Sequence, residues 1–501
     1  MNADTVGRLL CEQAAVRGDH PLLVCDSERL SYADAELRSA GLARRLIALG
    51  AGKGTHVGVL YPNSPEFVVA MLGAARIGAV VVPFSTFSTG PELRDQLVHS
   101  DTEILLAASS FRGHDYLARL RDVTAPWLRQ VVFDGDLPGA AAPELAALEA
   151  DVDGCDPLVI VYTSGSTGAP KGVVHTHESL LGHQRNLNKI RRLSADDRLF
   201  CNSPFFWIGG LGFALLATLA AGATLVCSNA TDAGEVLDLL EEVRPTMTNG
   251  FASGILHLAR HPSFPGRDLS SMRRGNLYPI MDPAVRPRDP ELRHNMLGMT
   301  EAGSVVLLSG DETDQPEHRR GSFGVPAPGF QARIVDPDTG GTLATGEIGE
   351  LCIRGRYLMQ CYYKRSREEC FDADGWFHTG DLFRTDADGF FYYVGRRKSM
   401  IKTAGANVIP AEVEKAIAKV ADGLVAHVLA LPDPGRGQIV AAAVIVEGGG
   451  SFNEGALREK LKTELSSYKI PRRFAALSPD ELPLTSSGKV DLARLAAVFD
   501  D

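Results

Sequence analysis

The chain has 501 residues, of which 45% are hydrophobic and 23% charged, a balance typical of folded globular proteins rather than disordered ones. Its 51 basic and 62 acidic residues give a formal net charge of −11, which argues against a nucleic-acid-binding protein. The eight cysteines form no C-x-x-C pair, so zinc-ribbon and thioredoxin-like chemistry have no support, and we expect reduced thiols in a cytoplasmic protein.

The first half of the chain alternates apolar runs with helical segments. Residues 56–60 form an apolar run, Ser64-Pro65-Glu66 predicts the start of a helix that ends near residue 78, and residues 79–83 form a second apolar run. Strand, helix and strand at this spacing predict a βαβ unit and therefore a parallel sheet. The alternation continues with apolar runs at residues 104–107, 131–133 and 158–162.

One long segment without charged side chains lies between Arg198 and Asp232. Its length would suit a membrane span, but Pro204 opens it and four glycines interrupt it. The segment therefore predicts buried core. The N-terminal residues lack the apolar stretch of a signal peptide, and the sequence predicts no membrane span.

The pattern changes in the second half. Short alternating strands and glycine-rich turns over residues 320–393 predict an antiparallel region. The last hundred residues have their own order, which predicts a small α+β domain: a helix over 411–420, strands near 424–431 and 439–446, a charged helix over 452–465, and a strand near 473–477.

The most specific segment is YTSGSTGAPKG at residues 162–172. Its glycines allow the backbone to wrap closely around a ligand, and the hydroxyl groups and Lys171 suit phosphate oxygens. It is not a Walker P-loop, because Pro170 precedes Lys171 and no G-K-[ST] helix start follows. The segment therefore predicts a phosphate-binding loop of another kind.

Four more segments occur in a consistent order. They read GMTE at residues 298–301, GWFHTGD at 375–381, GRRK at 395–398 and PLTSSGK at 483–489. Together with the phosphate loop, they resemble the motifs of the adenylate-forming enzymes, which comprise acyl-CoA synthetases, peptide-synthetase adenylation domains and beetle luciferases. The resemblance covers the chain from about residue 20 to its end and is closest to the acyl-CoA synthetases.

The resemblance implies a fold and a division into domains. Residues 1–397 would form a large α/β domain of two doubly wound βαβ subdomains and a distorted β-barrel. Residues 398–501 would form a small α+β domain that carries a catalytic lysine and rotates between two half-reactions, with Lys398 at the hinge.

The resemblance also implies a reaction. A carboxylate attacks the α-phosphate of ATP to give an acyl-adenylate and pyrophosphate, and the thiol of CoA then displaces AMP. Lys489 would bridge the carboxylate and the α-phosphate, and Glu301 would hold Mg²⁺. Four residues would be catalytic: Lys489, Thr300, Glu301 and Lys402. The ATP-binding residues would be Thr163, Ser164, Gly165, Ser166, Thr167, Gly168, Lys171, Gly275, Asn276, Leu297, Gly298, Met299, Thr300, Asp381, Arg396 and Lys489.

The acid pocket would be lined by Trp207, Asn249, Gly250, Ala252 and Tyr278, and the pantetheine arm of CoA would pass Ala404 and Gly405. In the peptide-synthetase adenylation domains that the chain resembles, the segment matching residues 205–210 carries an aspartate that pairs with the α-ammonium of the substrate. This chain has no acid there, which argues against an amino acid substrate. Small residues at 250 and 252 predict a wide pocket, so we expect an apolar, bulky or cyclic carboxylic acid. Leu297 replaces the aromatic residue that stacks on adenine in relatives.

Two alternatives remain at this stage. A free-standing adenylating enzyme would load the pantetheine of a carrier protein instead of CoA. A non-catalytic nucleotide-binding protein would keep the fold without the reaction, although the retained Lys171, Glu301, Asp381 and Lys489 argue against it. Either a monomer or a homodimer is compatible with the sequence.

Overall fold

The computed structural model describes residues 4–137, 139–163, 171–403, 406–434, 437–446, 452–465, 467, 469–485 and 488–500. The chain forms two compact units, one of residues 1–331 with 354–375 and the other of residues 332–353 with 376–501. The proposed hinge residue Lys398 lies inside the second unit, and the division of the chain at residue 397 stays a prediction.

A seven-stranded sheet forms one part of the first unit, and its inner strands are parallel as predicted. Its strands in spatial order are Cys361–Tyr362, Lys171–Thr176, Pro157–Thr163, Val80–Pro83, His56–Leu60, Ile104–Ala107 and Gln130–Phe133. The helix Pro65–Arg76 connects two of these strands, and the Ser64 hydroxyl caps it by accepting a hydrogen bond from the Phe67 N–H. The predicted βαβ unit is confirmed.

A six-stranded sheet forms a second part of the same unit. Its strands in spatial order are Arg274–Gly275, Met247–Asn249, Arg198–Cys201, Thr224–Cys227, Pro21–Cys25 and Glu28–Ser31. The uncharged segment supplies one of these strands, preceded by the consecutive helical pieces Ile208–Gly210, Leu211–Leu216 and Ala217–Ala221. These pieces are largely buried, as predicted. Among the described residues, no helix is long and apolar enough to cross a membrane.

The predicted antiparallel region is present, but it is not closed into a barrel within the described residues. In the first unit, Leu297–Met299, Ser304–Leu308 and Val325–Pro326 form a three-stranded antiparallel sheet. A separate four-stranded sheet contains Phe330–Val335, Gly349–Gly355, Phe377–Thr385 and Phe391–Arg396. The expected distorted β-barrel is thus replaced by open sheets, because turn signals predict hairpins but not which edge strands pair.

The C-terminal part of the second unit has the predicted α+β order. Its sheet contains Ala406–Val408, Ile401–Thr403, Gly437–Ile445, Ala426–Asp433 and Arg473–Leu477, the last pairing in parallel with Gly437–Ile445. The helix Pro410–Val420 buries Val413 and Ile417 in the core of this part. The charged helix is shorter than predicted, Glu454–Leu461.

The remaining α-helices are Val6–Arg17, Tyr32–Ala48, Gly90–His99, Tyr116–Leu120, Leu145–Asp151, His177–Arg191, Ala233–Val243, Leu256–Ala259 and Leu492–Ala496, and a two-stranded hairpin joins Ser110–Phe111 to His114–Asp115.

Candidate active site

The phosphate-loop segment connects two paired strands. Pro157–Thr163 runs antiparallel to Lys171–Thr176, with Thr163 opposite Lys171. The two ends of the predicted loop are therefore held next to each other by backbone hydrogen bonds. The predicted residues between them lie outside the described residues: Ser164, Gly165, Ser166, Thr167 and Gly168.

Lys171 and Glu301 both contact Tyr362, a residue that the motif analysis did not identify. The Nζ of Lys171 lies 4.8 Å from the centre of the Tyr362 ring, and the Tyr362 hydroxyl donates a hydrogen bond of 2.6 Å to Oε1 of Glu301. Burial and the adjacent carboxylate raise the pKa of Tyr362, so its hydroxyl remains a donor. Tyr362 thus joins the predicted phosphate-binding lysine to the predicted metal-binding carboxylate. No spacing rule in the sequence connects residues so far apart.

The turn that carries Thr300 and Glu301 is held by a buried strand and helix. Thr300 follows the strand Leu297–Met299, which contains the predicted Gly298, and its carbonyl oxygen accepts a hydrogen bond of 2.7 Å from Nε2 of His175. Nε2 of His183 donates to the Val305 carbonyl at 2.8 Å. Burial lowers the pKa of His175 and of His183 to about 4, so both rings are neutral at pH 7. These positioning residues were also missed, since a histidine in an apolar strand or helix has no distinctive pattern.

The surroundings of Glu301 fit a magnesium ion that is carried mainly by a phosphate substrate. Mg²⁺ commonly takes one or two carboxylates and completes its octahedron with phosphate oxygens and water. Glu301 supplies such a carboxylate, and its orientation is fixed by Tyr362. Within the described ranges, no group of three or more histidine, cysteine, aspartate or glutamate side chains could form a complete protein cage.

The second unit brings together two of the predicted ATP-binding residues. Asp381 lies on Phe377–Thr385 directly opposite Arg396 on Phe391–Arg396, and Nε of Arg396 is 2.6 Å from Oδ1 of Asp381. Asp381 is buried, with 3% of its surface exposed, whereas the Arg396 side chain is half-exposed. A buried carboxylate beside an accessible guanidinium can accept hydroxyl hydrogen bonds while remaining charged.

Glu350 supports the backbone next to Asp381. Its Oε1 accepts a hydrogen bond of 2.9 Å from the Gly380 N–H, and its Oε2 lies 3.3 Å from Nη1 of Arg397 and 3.2 Å from Nδ1 of His378. Glu350 is itself buried. The sequence did not identify Glu350, because it lies on a strand far from the GWFHTGD segment in sequence.

The predicted lysines of the C-terminal part are only partly described. Lys489 is exposed and sits in a turn in which the Thr485 N–H donates to the Lys489 carbonyl oxygen at 2.7 Å. The side chains of Lys398 and Lys402 lie outside the described residues, as do Ala404 and Gly405. The roles assigned to these residues stay predictions.

An open cleft is lined by residues of the neighbouring strands Met247–Asn249 and Arg274–Gly275 of the six-stranded sheet. Asn249 and Tyr278, predicted for the acid pocket, line it together with Gly275 and Asn276, predicted for ATP. At Gly275 the φ angle is +123°, and a Cβ would lie 2.1 Å from the Thr248 carbonyl oxygen, so only glycine fits. Predicted acid-pocket and ATP-binding residues therefore share one wall.

The other predicted pocket residues lie outside the wall of this cleft. Trp207 contacts the rings of Phe206 and Phe251, with centroid distances of 5.5 and 6.0 Å. A Cβ on Gly250 would lie 1.8 Å from Oδ1 of Asn202, so the close approach of Asn202 explains this glycine without reference to pocket width. Ala252 is exposed on the same loop. Leu297 and Met299 are half-buried on the strand before Thr300.

Comparison with known proteins identifies the family. Residues 10–363 match the model of the AMP-binding enzyme, and residues 412–489 match the AMP-binding enzyme C-terminal domain. Feruloyl-CoA synthase of Amycolatopsis sp is 34% identical, with 92% of each chain covered. 4-Coumarate–CoA ligase 3 of Oryza sativa subsp. japonica is 32% identical over 100% of this chain and 94% of its own. ATP-bound MatB from Rhodopseudomonas palustris is similar in structure, with a TM-score of 0.81 and 26% identity over 100% of this chain and 99% of its own.

These matches confirm the predicted resemblance, the mixed α/β fold with a large N-terminal and a small C-terminal part, and the enzyme class. They cover the chain almost from end to end. The chain belongs to the AMP-binding enzyme family and is an AMP-forming acid–thiol ligase.

Proposed function

We propose that this enzyme uses ATP to activate a carboxylic acid with an apolar, bulky or cyclic body and transfers the acyl group to CoA. In the first step a carboxylate oxygen attacks the α-phosphorus and the bond to pyrophosphate breaks. In the second step the CoA sulfur attacks the acyl carbon, AMP leaves, and the thiol proton passes to solvent. The observation that carries this proposal is the linked arrangement of Lys171, Tyr362 and Glu301.

The first step requires two anions to approach each other. A unit charge pair at 4 Å in an effective dielectric of about 20 is worth about 4 kcal/mol, so a few fixed cations can offset this repulsion. Lys171 supplies one such charge, and its contact with the Tyr362 ring restricts the position of its ammonium group. Lys489 supplies a second charge in the proposal, bridging the carboxylate and the α-phosphate.

Glu301 would bind Mg²⁺ carried by ATP, and Thr300 would donate a hydrogen bond to the α-phosphate. When bound, the ion neutralises charge on the phosphate oxygens. The Tyr362 hydroxyl keeps the Glu301 carboxylate in one orientation, and the His175 contact keeps the Thr300 backbone in place. In the second unit, Asp381 would accept hydrogen bonds from the ribose hydroxyls, and Arg396 would donate beside it.

For the second step, we propose that the C-terminal part rotates about Lys398. Lys402 would then face the reacting groups, and the segment with Ala404 and Gly405 would leave room for pantetheine.

All eight cysteines are free thiols, which supports the predicted reducing, cytoplasmic location.

The chemical character of the acid substrate is inferred from the cleft that Asn249 and Tyr278 line. Phe213, Met247 and Leu308 add apolar surface to it. Two relatives are named for feruloyl and 4-coumarate, which are aryl-acrylic acyl groups, and such a planar body suits a cleft with aromatic and thioether walls.

The decisive experiment measures exchange of labelled pyrophosphate into ATP with a panel of aryl, cyclic and short aliphatic acids. CoA is then added and the product is analysed by mass. We expect exchange with aryl or cyclic acids and formation of their CoA thioesters. Lys171→Met should abolish exchange, whereas Lys189→Met, which removes a charge from an exposed helix position, should not. Exchange with acetate alone would contradict the predicted acid body, and acyl-adenylate without a CoA thioester would favour a carrier protein as acceptor.

A further inference from the structure

The cleft contains an arginine without an ion-pair partner among the described residues. Arg191, the last residue of the helix His177–Arg191, lines the cleft that contains Asn249 and Tyr278. In the described part of the chain, it forms no ion pair with a carboxylate. The three other arginines of the cleft wall do have partners: Arg273 lies 3.8 Å and Arg274 3.4 Å from Asp197, and Arg293 lies 2.7 Å from Asp314.

The guanidinium of Arg191 is nevertheless held in a defined position. Its carbon lies 4.1 Å from the centre of the Phe213 ring, and Nη2 donates to the Phe213 carbonyl at 2.9 Å. Nε and Nη2 also donate to Oδ1 of Asn188, at 3.3 and 3.0 Å. All of these acceptors are uncharged, and burial lowers the pKa of Arg191 to about 9. A cation that is desolvated, oriented and without a direct ion-pair partner is a suitable partner for an anion in the cleft.

The acids around this arginine are already engaged. Asp197, whose charge acts on Arg191, accepts hydrogen bonds from Ser194 and Thr246 and pairs with Arg274. Asp311 lines the cleft, but its oxygens accept hydrogen bonds from Thr313 and Gln315. Glu312 also lines the cleft, and no ion pair joins it to Arg191 within the described residues. The charge of Arg191 is therefore available to a ligand.

The helix sets the distance between this cation and the reacting groups. Gln184 on the same helix donates to the Gly303 carbonyl at 3.1 Å, directly after the turn that carries Thr300 and Glu301. Arg191 lies seven residues further along, which is about 10 Å at 1.5 Å per residue. The strand Ser304–Leu308 leads away from the turn, and Gly310 follows it in sequence. A Cβ on Gly310 would lie 3.3 Å from Ile190, the residue before Arg191 on the helix.

We propose that Arg191 binds an anionic group, a carboxylate or a sulfonate, at the end of the acid substrate remote from the reacting carboxylate. The preferred acid then has an apolar or aromatic body with an anion at each end. This inference rests on the proposed function and narrows its substrate class. Arg191 would act in specificity, because its contact is with a part of the acid that does not react.

The test compares two acids of similar size that differ in one charge. 4-Carboxycinnamic acid carries the second anion, and its 4-methyl ester, with the acrylic acid group free, does not. We expect the wild-type kcat/KM for pyrophosphate exchange to be at least about thirtyfold higher for the diacid, as for other buried charge pairs. Arg191→Met should reduce this ratio to near one, and Arg191→Lys should leave a smaller preference for the diacid.

Arg192→Met is the matched control, because it removes the same charge from the exposed next residue, which is not part of the cleft wall. It should keep the wild-type ratio. A wild-type ratio near one, or an unchanged ratio in Arg191→Met, would refute the role of Arg191. Exchange with the ester but not with the diacid would refute it as well. Absence of exchange with every acid in the panel would instead refute the proposed function.

Discussion

Replacement of Tyr362 by phenylalanine tests the central contact of the candidate site. Tyr362→Phe removes the 2.6 Å hydrogen bond to Glu301 but keeps the aromatic ring, on which Lys171 lies at 4.8 Å. A hydrogen bond to a charged group is worth about 1.5–3 kcal/mol. If that free energy helps to stabilise the transition state of adenylation, the rate falls by about 10- to 100-fold, since 1.36 kcal/mol corresponds to a factor of ten.

The assay is pyrophosphate exchange at saturating acid, measured over a series of Mg²⁺ concentrations. Because Glu301 is no longer oriented, we expect half-saturation by Mg²⁺ to move to higher concentration along with the loss of rate. Thioester formation from supplied acyl-adenylate and CoA should change much less, since that step does not involve the pyrophosphate group.

Tyr363→Phe provides the control for this variant. Tyr363 is the neighbouring residue, and its hydroxyl also donates to a carboxylate, Asp101, at 2.9 Å. Its removal costs a hydrogen bond of the same kind away from Glu301. Equal losses in the two variants, or a Tyr362→Phe enzyme with normal rate and normal Mg²⁺ dependence, would show that the Tyr362 contact has no part in adenylation.

Three further outcomes are expected. Lys489→Ala removes one ion pair and should slow adenylate formation by about 10²- to 10³-fold. It should spare thioester formation from supplied acyl-adenylate. The control variant Lys462→Ala should affect neither reaction. Asp381→Asn should raise the KM for ATP by about tenfold or more, measured by exchange at varied ATP, through loss of a charge-assisted bond to ribose; an unchanged KM would remove Asp381 from the nucleotide site. Burial lowers the pKa of His175 to about 4, so the unfolded state takes up the proton first as the pH falls below about 6.5. The contribution of His175 to the free energy of unfolding is therefore present above that pH, and about 2 kcal/mol of it is lost by pH 5. Urea unfolding should show a weaker pH dependence in His175→Gln but not in His318→Gln, a change at an exposed site.

Local signals in the sequence predicted several elements closely. The strands His56–Leu60 and Arg473–Leu477 were predicted with the bounds they have, and the helix after Ser64 begins at Pro65 as its cap requires. These features depend on neighbours within a few residues, such as the Ser64 hydroxyl and the Phe67 N–H. The charged helix Glu454–Leu461 is shorter than predicted, because polar residues at helix ends carry no strong stop signal.

Features that depend on pairing between distant segments were not predictable in the same way. The small side chain at residue 250 predicts a wide pocket, but the sequence pattern does not reveal that a Cβ there would lie 1.8 Å from Oδ1 of Asn202. The open antiparallel sheets in place of a barrel have the same origin, since each strand was recognised without its partner.

The residues of the motifs and their order along the chain were sufficient to establish the family, the enzyme class and the residues expected to bind ATP. Only the folded chain shows that the Tyr362 hydroxyl donates a hydrogen bond to Glu301, 61 residues away in sequence, and that His175 donates one to the Thr300 carbonyl, 125 residues away. It also shows that Arg191 lines the cleft without an ion-pair partner among the described residues. The physical reason is that hydrogen bonding and charge compensation act over a few ångströms in space, and strand pairing brings together side chains that no sequence interval connects.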